Sequence, residues 1–207
     1  MKKMAKATAL LAAMVLAAGL TACQGKGSSK GLVMVGAIVG NYTPDVPAKF
    51  SIPKGTTEIY QRAFEDCLKL VSVNIPDTVV KIGMSAFSGC KNLKSVTIGN
   101  GVTEIGSGAF YGCESLKSVT IPEGVTEIYS QAFRRCTSLA SVTIPASVTE
   151  IWECVFKGCE SLKEVKYAGT KAQWEEALTN SYHGERMEIG NIVVHCKDGD
   201  VTETLKD

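Results

Sequence analysis

Histidine is nearly missing from this chain. Only His183 and His195 occur among its 207 residues, which leaves little material for imidazole acid–base chemistry or for metal ligation. Neither sign of charge is in excess. Lys and Arg number 22 against 21 Asp and Glu, for a formal net charge of +1, and a general nucleic-acid binder needs a basic excess that is not present. The sequence holds no phosphate loop and no zinc-binding His pair, so the common nucleotide and metalloprotease signatures are absent. His195 adjoins Cys196, but neighbours on a strand point to opposite faces and form no nucleophile–base dyad. The expectation is a chain that is not an enzyme and takes no cofactor. With 45% hydrophobic and 21% charged residues, it is not a disordered chain either.

The first segment reads as an address label. Lys2, Lys3 and Lys6 precede an apolar run from Ala7 to Leu20, shorter than the ~20 residues that span a bilayer as a helix. A basic start followed by a short apolar stretch is the pattern of an export signal. Leu20-Thr21-Ala22-Cys23 resembles the bacterial lipobox, in which cleavage falls before the cysteine. That resemblance implies an acylated Cys23 at the mature N-terminus, with several acyl chains giving a stable membrane anchor. Loss of residues 1–22 removes three lysines and no acid, turning +1 into −2, so electrostatic attachment to an anionic membrane is not implied. Gln24–Lys30 reads as a flexible tether, and the Gly-bounded apolar stretch Leu32–Val39 as a strand covering the first repeat.

Self-similarity dominates the middle of the chain. Cys67, Cys90, Cys113, Cys136 and Cys159 are each 23 apart. Phe64–Phe156, Leu70–Leu162, Ile59–Ile151 and Val73–Val165 keep the same step. The unit is Val-x-Ile-Pro-x-x-Val-x-x-Ile-x-x-x-Ala-Phe-x-x-Cys-x-x-Leu-x-x. It is too small to bury its own apolar positions, so neighbouring copies must stack into a solenoid with one continuous core. Val-x-Ile predicts a short strand with alternating side chains. Pro53, Pro76, Pro122 and Pro145 end it, because proline cannot donate to a ladder. The Ala-Phe-x-x-Cys-x-x-Leu arc has helix-like spacing and predicts a short turn or 3₁₀ piece.

On the strength of Leu-x-x-Val-x-Ile-Pro…Ile-x-x-x-Ala-Phe-x-x-Cys, as in Leu116–Cys136, the chain resembles the BspA-like (treponemal-type) leucine-rich repeats. The resemblance implies an α/β solenoid with short parallel strands on a concave face. It also implies an exported or cell-surface protein that binds other macromolecules, with adhesins among the known members. The divisions expected are a signal at 1–22, tether and N-terminal cap at 23–49, five repeats plus a strand at 50–168, and a C-terminal cap at 169–207. In that last part Thr170-Lys171-Ala172-Gln173 has the form of a capping box, Gln173–Leu178 predicts a short helix, and Ile192–Cys196 a strand.

Binding residues are sought on the solenoid surface. The outward positions of the predicted strands are Ser72, Asn74, Ser95, Thr97, Ser118, Thr120, Ser141, Thr143, Glu164 and Lys166, with Lys94, Lys117 and Lys163 alongside. This is a regular polar face without the aromatic and Arg anchors that dominate protein interfaces; a merely solvated face is the competing reading. A second column runs Tyr60, Gly83, Gly106, Tyr129, Trp152, and its neighbours Tyr129 and Trp152 are candidate anchors. Glu58, Glu104, Glu127 and Glu150 form a third, interrupted by Lys81. A protein partner, a membrane reached through Cys23, and no nucleic acid are the expected contacts. The cysteine column reads as buried free thiols rather than disulfides, since side chains of one column point the same way. Its spacing matches no metal site. Cys154 and Cys196, off the column, are left open as a pair.

Overall fold

The computed structural model describes residues 38–39, 46–179 and 192–203. The expected export signal at 1–22, Cys23, the expected tether at 24–30, most of the Leu32–Val39 stretch and His183 lie outside them.

Each coil of the chain contributes one longer strand and one two-residue strand. In order these are β1 (Ile38–Val39), β2 (Lys49–Ser51), β3 (Glu58–Ile59), β4 (Ser72–Ile75), β5 (Lys81–Ile82), β6 (Ser95–Ile98) and β7 (Glu104–Ile105). There follow β8 (Ser118–Thr120), β9 (Glu127–Ile128), β10 (Ser141–Ile144), β11 (Glu150–Ile151) and β12 (Glu164–Tyr167). The short strands form one parallel sheet, β1-β3-β5-β7-β9-β11. The longer ones form β2-β4-β6 and, beyond a seam, β8-β10-β12. At the seam Val96 is half-buried, whereas Val73, Val119, Val142 and Val165 are no more than 3% exposed. Register is column on column: Val73 pairs with Val96, Val119 with Val142, Ile105 with Ile128. The result is a parallel-strand β-solenoid of about five turns.

The fold is mostly β, which corrects the α/β expectation. The Ala-Phe-x-x-Cys arc is a run of turns and contains no helix. Its backbone donors alternate between two destinations. The N–H groups of Arg62, Phe64 and Asp66 donate to Met84, Ala86 and Ser88 on the next coil. Those of Ala63, Glu65 and Cys67 close turns onto Tyr60, Arg62 and Phe64. An α-helix would consume all of these donors internally; here half of them join coil to coil. Two residues per coil adopt left-handed backbone to permit this, one in the column Arg62, Ser85, Gly108, Gln131, Cys154 and one in the column Asp66, Gly89, Gly112, Arg135, Gly158.

The interior is the set of columns. Ile59, Phe64, Cys67 and Leu70 and their counterparts in the next three coils are fully buried. Phe64, Phe87, Phe110 and Phe133 stack with centroids 5.0, 5.2 and 5.4 Å apart and planes within 3° of parallel. Burial of each such side chain is worth about 1.5–3 kcal/mol, and it is obtained only because the neighbouring coil is present.

After β12 the period ends. Helix α1 (Lys171–Thr179) opens with the capping box: Gln173 N–H donates to Thr170 Oγ1 at 3.3 Å and Thr170 N–H to Gln173 Oε1 at 2.9 Å. Trp174 is fully buried against Tyr167, centroids 5.4 Å apart. β13 (Ile192–Cys196) continues the longer-strand sheet parallel to β12, and β14 (Gly199–Glu203) turns back antiparallel as its edge.

Candidate ligand-binding faces of the solenoid

The longer strands turn their odd columns outward because Val and Ile of the even columns fill the core. Ser72, Ser141 and Glu164 are half-buried, and Asn74, Ser95, Thr97, Ser118, Thr120, Thr143 and Lys166 are exposed. Ser118, Ser141 and Glu164 are register partners, as are Thr120, Thr143 and Lys166. The two hydroxyl ladders are therefore real neighbours in space, spaced by the ~4.8 Å between strands.

These hydroxyls are unspent. Among the described residues, none of Ser72, Ser95, Thr97, Ser118, Thr120, Ser141 and Thr143 is tied to a protein partner. Other hydroxyls of the repeat are used for stacking. Thr103 Oγ1 donates to Val80 O at 3.3 Å, Thr137 to Glu114 O at 3.3 Å, and Ser147 Oγ to Val125 O at 2.8 Å. Lys94, Lys117 and Lys163 stand exposed along the leading edge of the face, and among the described residues they have no ion-pair partner. Lys166 Nζ lies 3.8 Å from Glu164. At the C-terminal end His195 Nδ1 is 2.9 Å from Asp200 Oδ1, and its Nε2 is 3.9 Å from Glu164.

The short-strand sheet carries the opposite charge. Glu58, Lys81, Glu104, Glu127 and Glu150 face outward beside one another. Lys81 Nζ reaches Glu104 at 2.8 Å, and that hydrogen bond raises the lysine pKa. Beyond this column Tyr129 and Trp152 stack at 5.7 Å and 20°. Both are half-buried, since each covers part of the other. Burial, and then the Glu127 carboxylate, hold the Tyr129 hydroxyl pKa above its ordinary value. The glycines at 83 and 106 leave a gap between Tyr60 and Tyr129. It is a shallow cleft of about 270 Å³, edged by Glu58, Lys81, Glu104, Met84 and Ser107. Its floor must be glycine, because a Cβ at Gly83 would lie 2.6 Å from Gln61 N.

The cysteine column faces inward as expected, and it makes a bond that spacing does not reveal. Four of its thiols donate to the carbonyl oxygen of the previous coil's phenylalanine: Cys90 to Phe64 at 3.0 Å, Cys113 to Phe87 at 3.2 Å, Cys136 to Phe110 at 3.2 Å and Cys159 to Phe133 at 3.1 Å. Cys154 and Cys196 are both free thiols, half-buried and unbonded. Among the described residues no group of three or more His, Cys, Asp or Glu is placed to hold a metal, and no helix is long and apolar enough to cross a membrane. Sequence reasoning missed the cleft and the sorting of charge between the two faces. Both could be read from the periodic positions once the Glu and Lys columns are assigned to different strands.

Stacked 23-residue coils, inward Phe, Cys and Leu columns and short parallel strands define a leucine-rich repeat solenoid. More narrowly, residues 48–181 match the model of the BspA type leucine rich repeat region in six copies, and the chain belongs to that family. Solved structures agree. A leucine rich cell surface protein from Faecalibacterium prausnitzii A2-165 is 41% identical with a TM-score of 0.64, over 66% of this chain and 36% of that one. A leucine-rich repeat protein from Bacteroides ovatus ATCC 8483 is 37% identical with a TM-score of 0.56, over 70% and 38%. The T. pallidum leucine rich repeat protein is 33% identical with a TM-score of 0.57, over 58% of each. The chain thus spans less than two thirds of the length of these three neighbours. No curated protein matches it significantly.

Proposed function

We propose that this is an exported, lipid-anchored, non-catalytic protein that binds another macromolecule at the cell surface, as an adhesin or host-interaction module. The observation that carries the reading is the contrast between hydroxyls. Those at the coil corners are consumed by the stack, while the Ser and Thr ladders of the longer strands are free to meet a partner. Rigid coils hold these donors and acceptors in fixed register, so a partner loses little free energy in ordering them. Family membership supports the reading: BspA-type repeats are typically surface or interaction modules, and the similar Faecalibacterium structure is described as a cell surface protein. Cys23, in its lipobox-like context, is the proposed acylation site.

Protease shaving of intact cells, read with an antibody to the repeats, tests the location. Loss of signal supports the surface reading. Survival until the envelope is opened removes it and leaves a scaffolding lipoprotein inside the envelope. Cys23→Ser should abolish acyl labelling and release the protein from membranes; continued acylation would remove the anchor.

A further inference from the structure

The solenoid is close to neutral, yet its two sheets carry opposite charge. On the longer-strand side stand Lys49, Lys94, Lys117, Lys163 and Lys166, all exposed, against Glu164 and Asp200. On the short-strand side stand Glu58, Glu104, Glu127 and Glu150 against Lys81. Lys49, Lys94, Lys117 and Lys163 have no ion-pair partner among the described residues. The turn leading into the strands is balanced, with Lys69 and Lys91 against Glu114 and Glu160, and Lys91 already holds Glu114 at 3.0 Å. The turn leaving the strands holds exposed Asp77 and Glu123 against Lys54, so the unmatched positive charge lies along the entry edge of the hydroxyl ladders, at Lys94, Lys117 and Lys163, and it favours an anionic partner there.

We propose that the longer-strand face takes a linear anionic polysaccharide, laid along the stack with its charged groups at the lysines and its hydroxyls at the Ser and Thr ladders. This rests on the reading of that face as the binding surface. Three features separate this partner from other polyanions. The periodic strand positions of β2–β12 carry no outward aromatic ring or arginine, which are the anchors that dominate protein interfaces. A single-stranded nucleic acid would need aromatic platforms for its bases, and they are absent from the same positions. A polysaccharide needs neither. It stays hydrated, presents hydroxyls in quantity, and gains affinity by repeating weak contacts along its length. The ladders supply a matching repetition, one Ser and one Thr or Asn per coil from β4 to β10, at ~4.8 Å per strand.

The test is binding of the purified protein to dextran sulfate, neutral dextran and polyglutamate over a range of salt. Dextran sulfate should bind at low salt and weaken as salt rises, with neutral dextran inert and polyglutamate weaker. Lys94→Glu with Lys117→Glu should lower dextran sulfate affinity about tenfold or more and flatten its salt dependence, since each lost cation removes released counterions. Arg62→Glu with Lys157→Glu changes net charge equally on the turn arc, away from the hydroxyl ladders, and should leave binding within about twofold. Equal losses in the two pairs, equal binding of neutral dextran, preference for polyglutamate, or no binding at all would each overturn the proposal. Thr97→Trp with Thr120→Trp separates the two layers of the argument. If these block dextran sulfate while lysine reversal does not, the face is the binding surface and its charge is irrelevant. If they do not block it, the face reading falls as well. Surface location is decided independently by shaving.

Discussion

The thiol of Cys113 donates to the carbonyl oxygen of Phe87, 26 residues earlier, at 3.2 Å. Since Cys113 N–H returns to Phe110 O at 3.2 Å, one residue ties its own coil and the coil before it. Burial, with a smaller contribution from Cys90, pushes the Cys113 pKa well up; Cys136 is pushed up by its Cys159 neighbour and by burial. The neutral thiol is favoured in the fold, so the folded pKa exceeds the unfolded one. The resulting stability is present in full below the unfolded thiol pKa of about 8.5 and is lost as pH rises beyond it, because the unfolded chain then releases protons that the native chain keeps. Chemical denaturation at rising pH should show this decline, and it should be shallower in Cys113→Ser. Cys113→Ala should cost about 1–3 kcal/mol at neutral pH from a lost bond and a small cavity. A Cys113→Ala protein as stable as the parent would refute the coupling.

Phe110 sits between Phe87 and Phe133 in the aromatic stack, fully buried, whereas Thr120 is exposed on the strand face. Phe110→Ala removes a ring that both neighbouring coils use, and should cost about 3–5 kcal/mol. Thr120→Ala removes an unpartnered hydroxyl and should stay within about 0.5 kcal/mol. Urea denaturation of the two variants checks this, and equal midpoints would contradict the inward and outward assignment.

The columns were legible because burial acts on them identically in each copy. Phe64 to Phe156 and Ile59 to Ile151 meet the same neighbours 23 residues away, so the period alone orders the core. The arc between them was harder. Phe-x-x-Cys-x-x-Leu has a helical step, but the N–H of Phe64 is taken by Ala86 on the next coil, a bond between residues that no local pattern links. Its main local trace is glycine at Gly89, Gly112 and Gly158, a column whose other members, Asp66 and Arg135, also take positive φ, with Gly108 alone marking the second such column. The outward ladders could be placed from alternation, yet alternation does not say which hydroxyls the stack consumes. That depends on whether a neighbouring carbonyl lies within reach, as Val80 O does for Thr103.

Thiol accessibility offers a separate check of the packing. Cys67, Cys90, Cys113 and Cys136 are fully buried, while Cys154, Cys159 and Cys196 are partly exposed and free. Alkylation of the native protein without reductant, followed by peptide mapping, should modify the last three and spare the first four; denaturant should release all of them. Resistance of both Cys154 and Cys196 until a reductant is added would mean that the two are paired.

Two glycines of one coil should respond to alanine for different reasons. Gly112 has φ +66 and nothing within 4 Å of the place a Cβ would take. Alanine there meets only the backbone cost of the left-handed conformation, about 1 kcal/mol. Gly101 has no such φ, but its Cβ would collide with the carbonyl oxygen of Asp77 on the coil before. Relief requires the two coils to separate, and overpacking of this kind costs about 1–3 kcal/mol. Arg135 occupies the same column as Gly112 at φ 60, so Arg135→Gly removes the strain that Gly112→Ala adds and should raise the denaturation midpoint slightly, part of the gain being offset by a more flexible unfolded chain. The expected order of stability is Arg135→Gly, parent, Gly112→Ala, Gly101→Ala. Were Gly112→Ala the more damaging of the two alanines, the coils would have to be more loosely stacked at Gly101 than the approach of Asp77 indicates.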